Sequence, residues 1–408
     1  MTSKQLRPYF FFLFLITALT WSSGQTSEDT KSSLTKEFTL ELQSDSRYFF
    51  SNGLYPGQKD FFYSFSAKPE LYLEWDEGAQ LLKFTGFARW EAQDTRRTHA
   101  DIRELYWQYI KNDWEFSVGL KKVFWGVTES IHLVDIINQT DAVESFDGEQ
   151  KLGQPMLHFS YLTSIGTFDL LAMPYFRKRQ FPGNEGRFRF SIPLEKDDIG
   201  FENQDLEEYH PSFALRWSNA LGPFDVGLSH FWGVGREPVF LPNPDNPAFT
   251  IFYPINHQTG LDLQAITGPF LWKLESFIRL NDFQDVFALA AGLEYTFGNI
   301  GSSGIDLGLI GEYLYDDRDE LAVSGMDNDV FFGGRLAFND IQSTEILFGG
   351  IFDLNRSTKL FSLEASRRFG ESWKASVEGR ILSSVAEEEF FYFFREDSFV
   401  QLSLSRFF

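Results

Sequence analysis

From about residue 36 to Phe408, apolar and polar positions alternate along the chain with a period of two. In the segment 61–75 one set is Phe61, Tyr63, Phe65, Ala67, Pro69, Leu71, Leu73 and Trp75. The other is Ser64, Ser66, Lys68, Glu70, Tyr72 and Glu74. Successive side chains of a strand point to opposite faces, so this segment has one apolar and one charged face. A soluble sandwich alternates too, but its apolar face must then find a second sheet. A long series of such strands, apolar outside and charged inside, predicts an all-β fold, a transmembrane antiparallel β-barrel. Eighteen candidate strands lie near 36–49, 61–75, 80–92, 101–110, 114–124, 156–162, 167–176, 209–218, 223–232, 259–266, 269–280, 286–297, 304–315, 329–338, 343–353, 358–368, 373–383 and 398–408. Sixteen is the fallback count, because 156–162 is short and the start of the first strand is loosely defined.

The connections supply a second signal. Those after even-numbered strands are short and rich in Gly, Asn, Asp and Ser, such as Asp76-Glu77-Gly78, Lys111-Asn112-Asp113 and Thr267-Gly268. These residues tolerate positive φ or bond their own backbone. The long connections, 125–155, 177–208, 233–258 and 316–328, all follow odd-numbered strands. Short turns on one rim and long loops on the other are expected of periplasmic and external sides, with both termini in the periplasm. The domain reading is a signal peptide over 1–24 and a single barrel over 25–408. Only about ten polar residues precede the first strand in the mature chain, too few for a plug domain.

Targeting fits this picture. Lys4 and Arg7 precede an apolar run from Tyr9 to about Leu19, and Ser22-Ser23-Gly24 follows. That is the order of a secretory signal peptide, and the run is short for a spanning helix. Cleavage near Gly24 would take the net charge from −22 to −24, since Lys4 and Arg7 leave with the peptide. The expected location is the outer membrane of a Gram-negative bacterium. There is no cysteine, so disulfides, thiol chemistry and cysteine metal sites are excluded. Forty-seven Phe suit strands and interfacial girdles. The strong negative charge argues against a nucleic-acid partner.

The most distinctive segment runs from Gly119 to Asp141, off a strand into a long connection. It contains Gly119-Leu120-Lys121, Trp125-Gly126, Asp135 and Asn138-Gln139-Thr140-Asp141. This arrangement resembles a pattern of porin-like outer-membrane barrels of Gram-negative bacteria, in which Gly-Lys/Arg leads to Trp-Gly, then Asp and Asn-Pro-x-Asp. The chain departs from it at Gln139 and in the place of its basic residue, Lys121. The resemblance covers roughly 25 residues and implies a class, not a substrate. The connection is also unusually apolar (Ile131, Leu133, Val134, Ile136, Ile137), and such residues are unfavourable in water. The expectation is therefore a loop, 125–155, that folds into the lumen and narrows it.

The functional expectation is a porin-like channel for passive diffusion of small hydrophilic solutes. Lys121, Trp125, Glu129, Asp135, Asn138 and Asp141 are the candidate constriction, with Arg89, Arg216, Arg279 and Arg335 on the pore wall. Charged residues at membrane depth are tolerated when they face water or each other. The alternatives are an outer-membrane enzyme of lipase or protease type, and a structural or binding barrel with a closed lumen. His158 and Ser160 share a strand face, but no nucleophile signature accompanies them, and six scattered His give no metal-ligand spacing. No catalytic residue, metal or cofactor is expected. The partners expected are outer-membrane lipid and lipopolysaccharide, small solutes and the barrel-assembly machinery, with homo-oligomerisation left open. The chain ends in Phe408 on an alternating strand, resembling the terminal recognition signal of bacterial outer-membrane proteins.

Overall fold

The computed structural model describes residues 34–408, except 146, 192–193, 243–248, 320–321 and 323–324. The signal-peptide segment 1–24 lies outside the described residues. The first seven strands are β1 (Thr35–Phe49), β2 (Phe61–Trp75), β3 (Gln80–Glu91), β4 (His99–Lys111), β5 (Trp114–Lys121), β6 (Gln154–Thr163) and β7 (Gly166–Met173). Then come β8 (Leu194–Phe201), β9 (Ser212–Leu221), β10 (Phe224–Val234), β11 (Val239–Pro242), β12 (Phe249–Tyr253), β13 (Ile255–Thr267) and β14 (Phe270–Leu280). The series ends with β15 (Val286–Phe297), β16 (Asp306–Asp316), β17 (Asn328–Ala337), β18 (Glu345–Asp353), β19 (Lys359–Phe369), β20 (Trp373–Ser383) and β21 (Phe399–Phe407).

Eighteen of these strands form one antiparallel sheet in which β21 pairs with β1, from Glu41 opposite Phe407 to Phe49 opposite Phe399. The sheet is thereby a closed barrel with no free edge, the strand architecture that satisfies every backbone group in lipid. Each of the eighteen segments read from the alternation has its barrel strand. Two ends differ for a definable reason. The seventh strand stops at Met173 because Pro174 follows, and the eighth starts at Ser212 because Pro211 precedes it. Proline has no N–H to give the ladder.

The faces follow the period of two. On β14, Trp272, Ile278 and Leu280 are exposed on the outer wall, while Lys273, Glu275, Phe277 and Arg279 are buried inside. Outward aromatic rings gather near both ends of the strands. Trp107, Tyr109 and Trp114 lie on the short-turn side, with centroid distances of 6.2 Å and 5.5 Å. Phe65–Trp90 and Phe213–Trp232 stack on the long-loop side at 6.3 Å and 5.8 Å. These are the places where amphipathic rings meet membrane interfaces.

The remaining three strands belong to two long connections. β8, from the connection between β7 and β9, runs parallel to β12, and β11 pairs antiparallel with β12. This small sheet packs with the Phe390–Phe394 turn into an aromatic cluster that includes Phe176, Phe190, Phe201, Tyr253 and Phe394. Alternation alone gave no sign of it.

Candidate functional site

The connection 122–153 leaves the end of β5 and crosses to the far wall of the barrel. Val127, Thr128 and Val134 donate their backbone N–H groups to the Glu275 carboxylate of β14, at 2.6, 2.8 and 3.1 Å. The Thr128 hydroxyl lies 2.7 Å from the same carboxylate. Glu129 and Ser130 donate theirs to Glu312 of β16, at 2.8 and 2.9 Å. The apolar side of the connection is pressed on the inner wall. Ile136 and Ile137 pack with Met156, Leu171, Met173, Ala214 and Phe231, and Leu133 with Phe277, Val286 and Ala288. Small wall residues make the space: Ala288 and Ala290 are completely buried.

The motif glycines have identifiable duties. Gly119 has φ 135°, and a Cβ there would run into the carbonyl oxygen of Leu105 on β4. A side chain at Gly126 would strike His132, 2.6 Å away. His132 itself lies between carboxylates. Its Nδ1 is 3.7 Å from Glu275 and its Nε2 is 3.5 Å from Glu149. Glu275 above all, then Glu149 and Asp135, raise the imidazole to about 9 against the opposing effect of burial.

The six residues read as a constriction divide into two groups. Glu129 and Lys121 present charge. The Glu129 carboxylate meets Arg335 of β17 at 2.7 Å and Lys273 of β14 at 3.4 Å. Lys121, the last residue of β5, reaches His158 Nδ1 at 3.1 Å and Glu115 at 3.5 Å. The other four hold the connection in shape. Asp135 accepts from the backbone N–H of Trp125 and Gly126, at 2.6 and 3.0 Å. The Trp125 ring lies 5.1 Å from the Arg216 guanidinium. Asn138, 2% exposed, accepts from Val123 N–H and donates to the carbonyls of Lys121 and Leu152. Asp141, 1% exposed, meets Arg103 of β4 at 2.7 Å.

The wall arginines are similarly committed. Arg89 on β3 binds Asp45 on β1 at 2.5 Å and holds Glu144 of the connection through Nε at 2.9 Å. Arg216 forms a bidentate pair with Asp262, at 2.5 and 2.8 Å. Arg279 bonds Gln258 at 2.8 Å and Glu237 at 3.2 Å. Arg335, apart from its bond to Glu129, keeps a side chain 43% exposed. Beside the connection a cavity of about 830 Å³ remains against β1–β4 and β17–β21. Its lining is charged and of both signs, including Arg47, Lys83, Arg89, Lys122, Glu345, Glu364 and Glu378.

No protein-family model matches the chain, and no curated protein matches its sequence. Solved structures do. Pseudomonas aeruginosa OccK10 (OpdN) has a TM-score of 0.54 at 10% identity, over 91% of this chain and 98% of that one. OccK3 (OpdO) of the same organism gives 0.53 at 9% identity, over 91% and 95%. OpdQ, again from that organism, gives 0.52 at 10% identity, over 91% and 98%. The fold is that of bacterial outer-membrane porins. At such identities the likeness is one of fold, so function must be argued from the site.

In this porin-fold barrel the mouth is built from residues that the alternation did not single out. A second cavity of about 610 Å³ lies above the inserted connection, under the aromatic cluster. Its roof is fixed by Arg187, 3% exposed. Arg187 binds Asp397 at 2.6 Å and donates to the carbonyls of Ser51, Lys59 and Glu396. Phe188, held at φ 55°, adds its N–H to Asp397 at 2.6 Å. Where the two cavities adjoin, Arg380 of β20 spans Asp147 of the connection at 2.8 Å and Glu364 of β19 at 2.6 Å. The sequence signal for this mouth was composition, notably the run Phe390-Phe391-Tyr392-Phe393-Phe394. His158 has both ring nitrogens engaged, Nδ1 with Lys121 and Nε2 with Asp169 at 3.0 Å. Neither nitrogen is free to activate Ser160.

Proposed function

We propose that the protein is an outer-membrane channel for passive diffusion of small solutes. The observation that carries this reading is the polar cavity left between the inserted connection and the β1–β4 and β17–β21 wall. Lining charges of both signs keep such a space wet, and a barrel of eighteen strands is wide enough to hold an aqueous path even with a loop inside. In this reading Glu129 and Arg335 border the narrow part, and Lys121, which lines neither cavity, ties β5 to His158 of β6. Asp135, Asn138, Asp141 and Trp125 shape the element that narrows it, and Arg89, Arg216 and Arg279 fasten wall and loops together. Outer-membrane lipid is the partner of the apolar outer face.

The aromatic mouth favours a second reading, a barrel whose lumen is shut at rest. Purified folded protein in planar bilayers distinguishes the two. Stepwise, ohmic conductance is expected for the channel. Zero conductance across a range of salts and voltages would overturn the channel and favour the shut barrel.

A further inference from the structure

The inner wall departs from its own polar pattern at one level. Phe331, Ile351, Leu360 and Leu382 are inward-facing, and each is the direct cross-strand partner of the next over β17, β18, β19 and β20. They make an apolar band on a wall that elsewhere carries charge. The aromatic cluster continues this lining from Leu360 and Leu382, with Phe181, Phe190, Phe240, Phe390 and Phe394 all on the upper cavity. Phe331 and Leu382 are buried and Leu360 packs on the aromatic cluster, so the band is an apolar wall of the upper cavity, of the kind that receives the apolar part of a ligand. The cavity, about 610 Å³, is the size of a site for one small organic molecule.

The floor of the same cavity sets a sign. The side chains of Glu149 and Glu364 are 55% and 51% exposed. The cations around them are covered: Arg380 is 14% exposed and shared among Asp147, Glu364 and Glu378, and Lys273 is 8% exposed and engaged by Glu129. Arg179 is turned to Gln139 and to the Arg236 carbonyl. His132 is held between Glu275 and Glu149. Among the residues lining the upper cavity the exposed charge is therefore carboxylate, and Arg335, an exposed cation of the adjoining cavity, is engaged by Glu129.

We propose that the upper cavity binds organic cations with an apolar body, the body against the Phe331–Leu382 band and the charged head at Glu149 and Glu364. This rests on the channel reading for its transport meaning, but the binding stands apart from it. The test is blockade of bilayer conductance by benzyltrimethylammonium, tetramethylammonium and benzoate. The first should block at concentrations about tenfold below either of the others, since one lacks the apolar body and the other has the wrong charge. Equal potency of benzoate or of tetramethylammonium would overturn the proposal. Replacing both Glu149→Gln and Glu364→Gln should remove the advantage over benzoate, and Leu360→Ser should reduce the advantage over tetramethylammonium. Retained heat-modifiable gel migration shows that each variant is folded. If the protein does not conduct, the channel reading fails, and calorimetric titration of the folded barrel with the same three probes decides the binding. Preferential heat from benzyltrimethylammonium supports the site, and its absence sinks it.

Discussion

Four donors from one loop converge on the Glu275 carboxylate, which is completely buried. Replacing Glu275 with Ala leaves three backbone N–H groups without an acceptor, at roughly 1–3 kcal/mol for each that stays buried. The expected result is release of the segment 126–134, seen as new protease cleavage there and a larger, noisier single-channel current, in a barrel that still shifts on gels when boiled. Unchanged current and protection would show that the apolar contacts of Leu133 and Ile137 suffice. His132 gives this anchor a pH dependence. Its pKa is raised from 6.5 to about 9, so its attraction to Glu275 and Glu149 is fully present below about pH 6.5 and fades as pH rises through about 9. Protease protection of the loop should fall between pH 7 and 10 in the wild type, and the fall should be absent in His132→Gln. At this scale the sequence was informative about which residues matter and less so about what they do. Asp135, Asn138 and Asp141 stand out in the chain, and what they bond is backbone groups and Arg103. A carboxylate that caps N–H groups and one that lines a pore look alike until the backbone is placed.

The element that most affects the open area is the inserted connection. It covers the inner wall of β6, β7, β9 and β10 and touches β14 and β16, leaving the cavity on the other side. Deleting about 129–150 should raise conductance several-fold while the barrel remains folded, a direction that follows from removing material from the lumen. Equal conductance in a folded deletion would place the narrowest point elsewhere, with the aromatic mouth as the next candidate. The strands were legible because a period of two is a local property that each segment displays by itself. The β8–β11–β12 sheet was not, because its pairing joins segments about fifty residues apart and its strands are short. Loops that pack on one another carry no period, only composition.

For the whole molecule, closure is the decisive event. β21 must pair with β1, and Phe408 extends that pairing by exchanging bonds with Leu40, at 3.1 and 3.3 Å. Phe408 shares the outer face with Leu402 and Leu404. Arg406 on the same face lies over the Phe408 and Trp373 rings, at 4.7 and 5.2 Å, where a long side chain can reach the headgroups. Removing Phe407 and Phe408 should lower the yield of folded, membrane-inserted protein far more than it lowers export. The measurement is the ratio of inserted to periplasmic protein, and a normal ratio would show that closure does not need the Phe407 and Phe408 pairing.

The anchoring of the inserted connection also imposes an order in time. Its donors lie at 127–134, but their acceptors, Glu275 and Glu312, lie about 140 to 180 residues further along the chain. Contacts of such long sequence separation are late to form, because the intervening chain must first be brought into place. The lumen therefore passes through a wider, unguarded state while the C-terminal strands are added, and it narrows only when β14 and β16 are in position. A variant retaining Trp125 as its sole tryptophan would report this. Its fluorescence should reach the native value later than the far-ultraviolet signal of the strands, and a change that precedes strand formation would reverse the order.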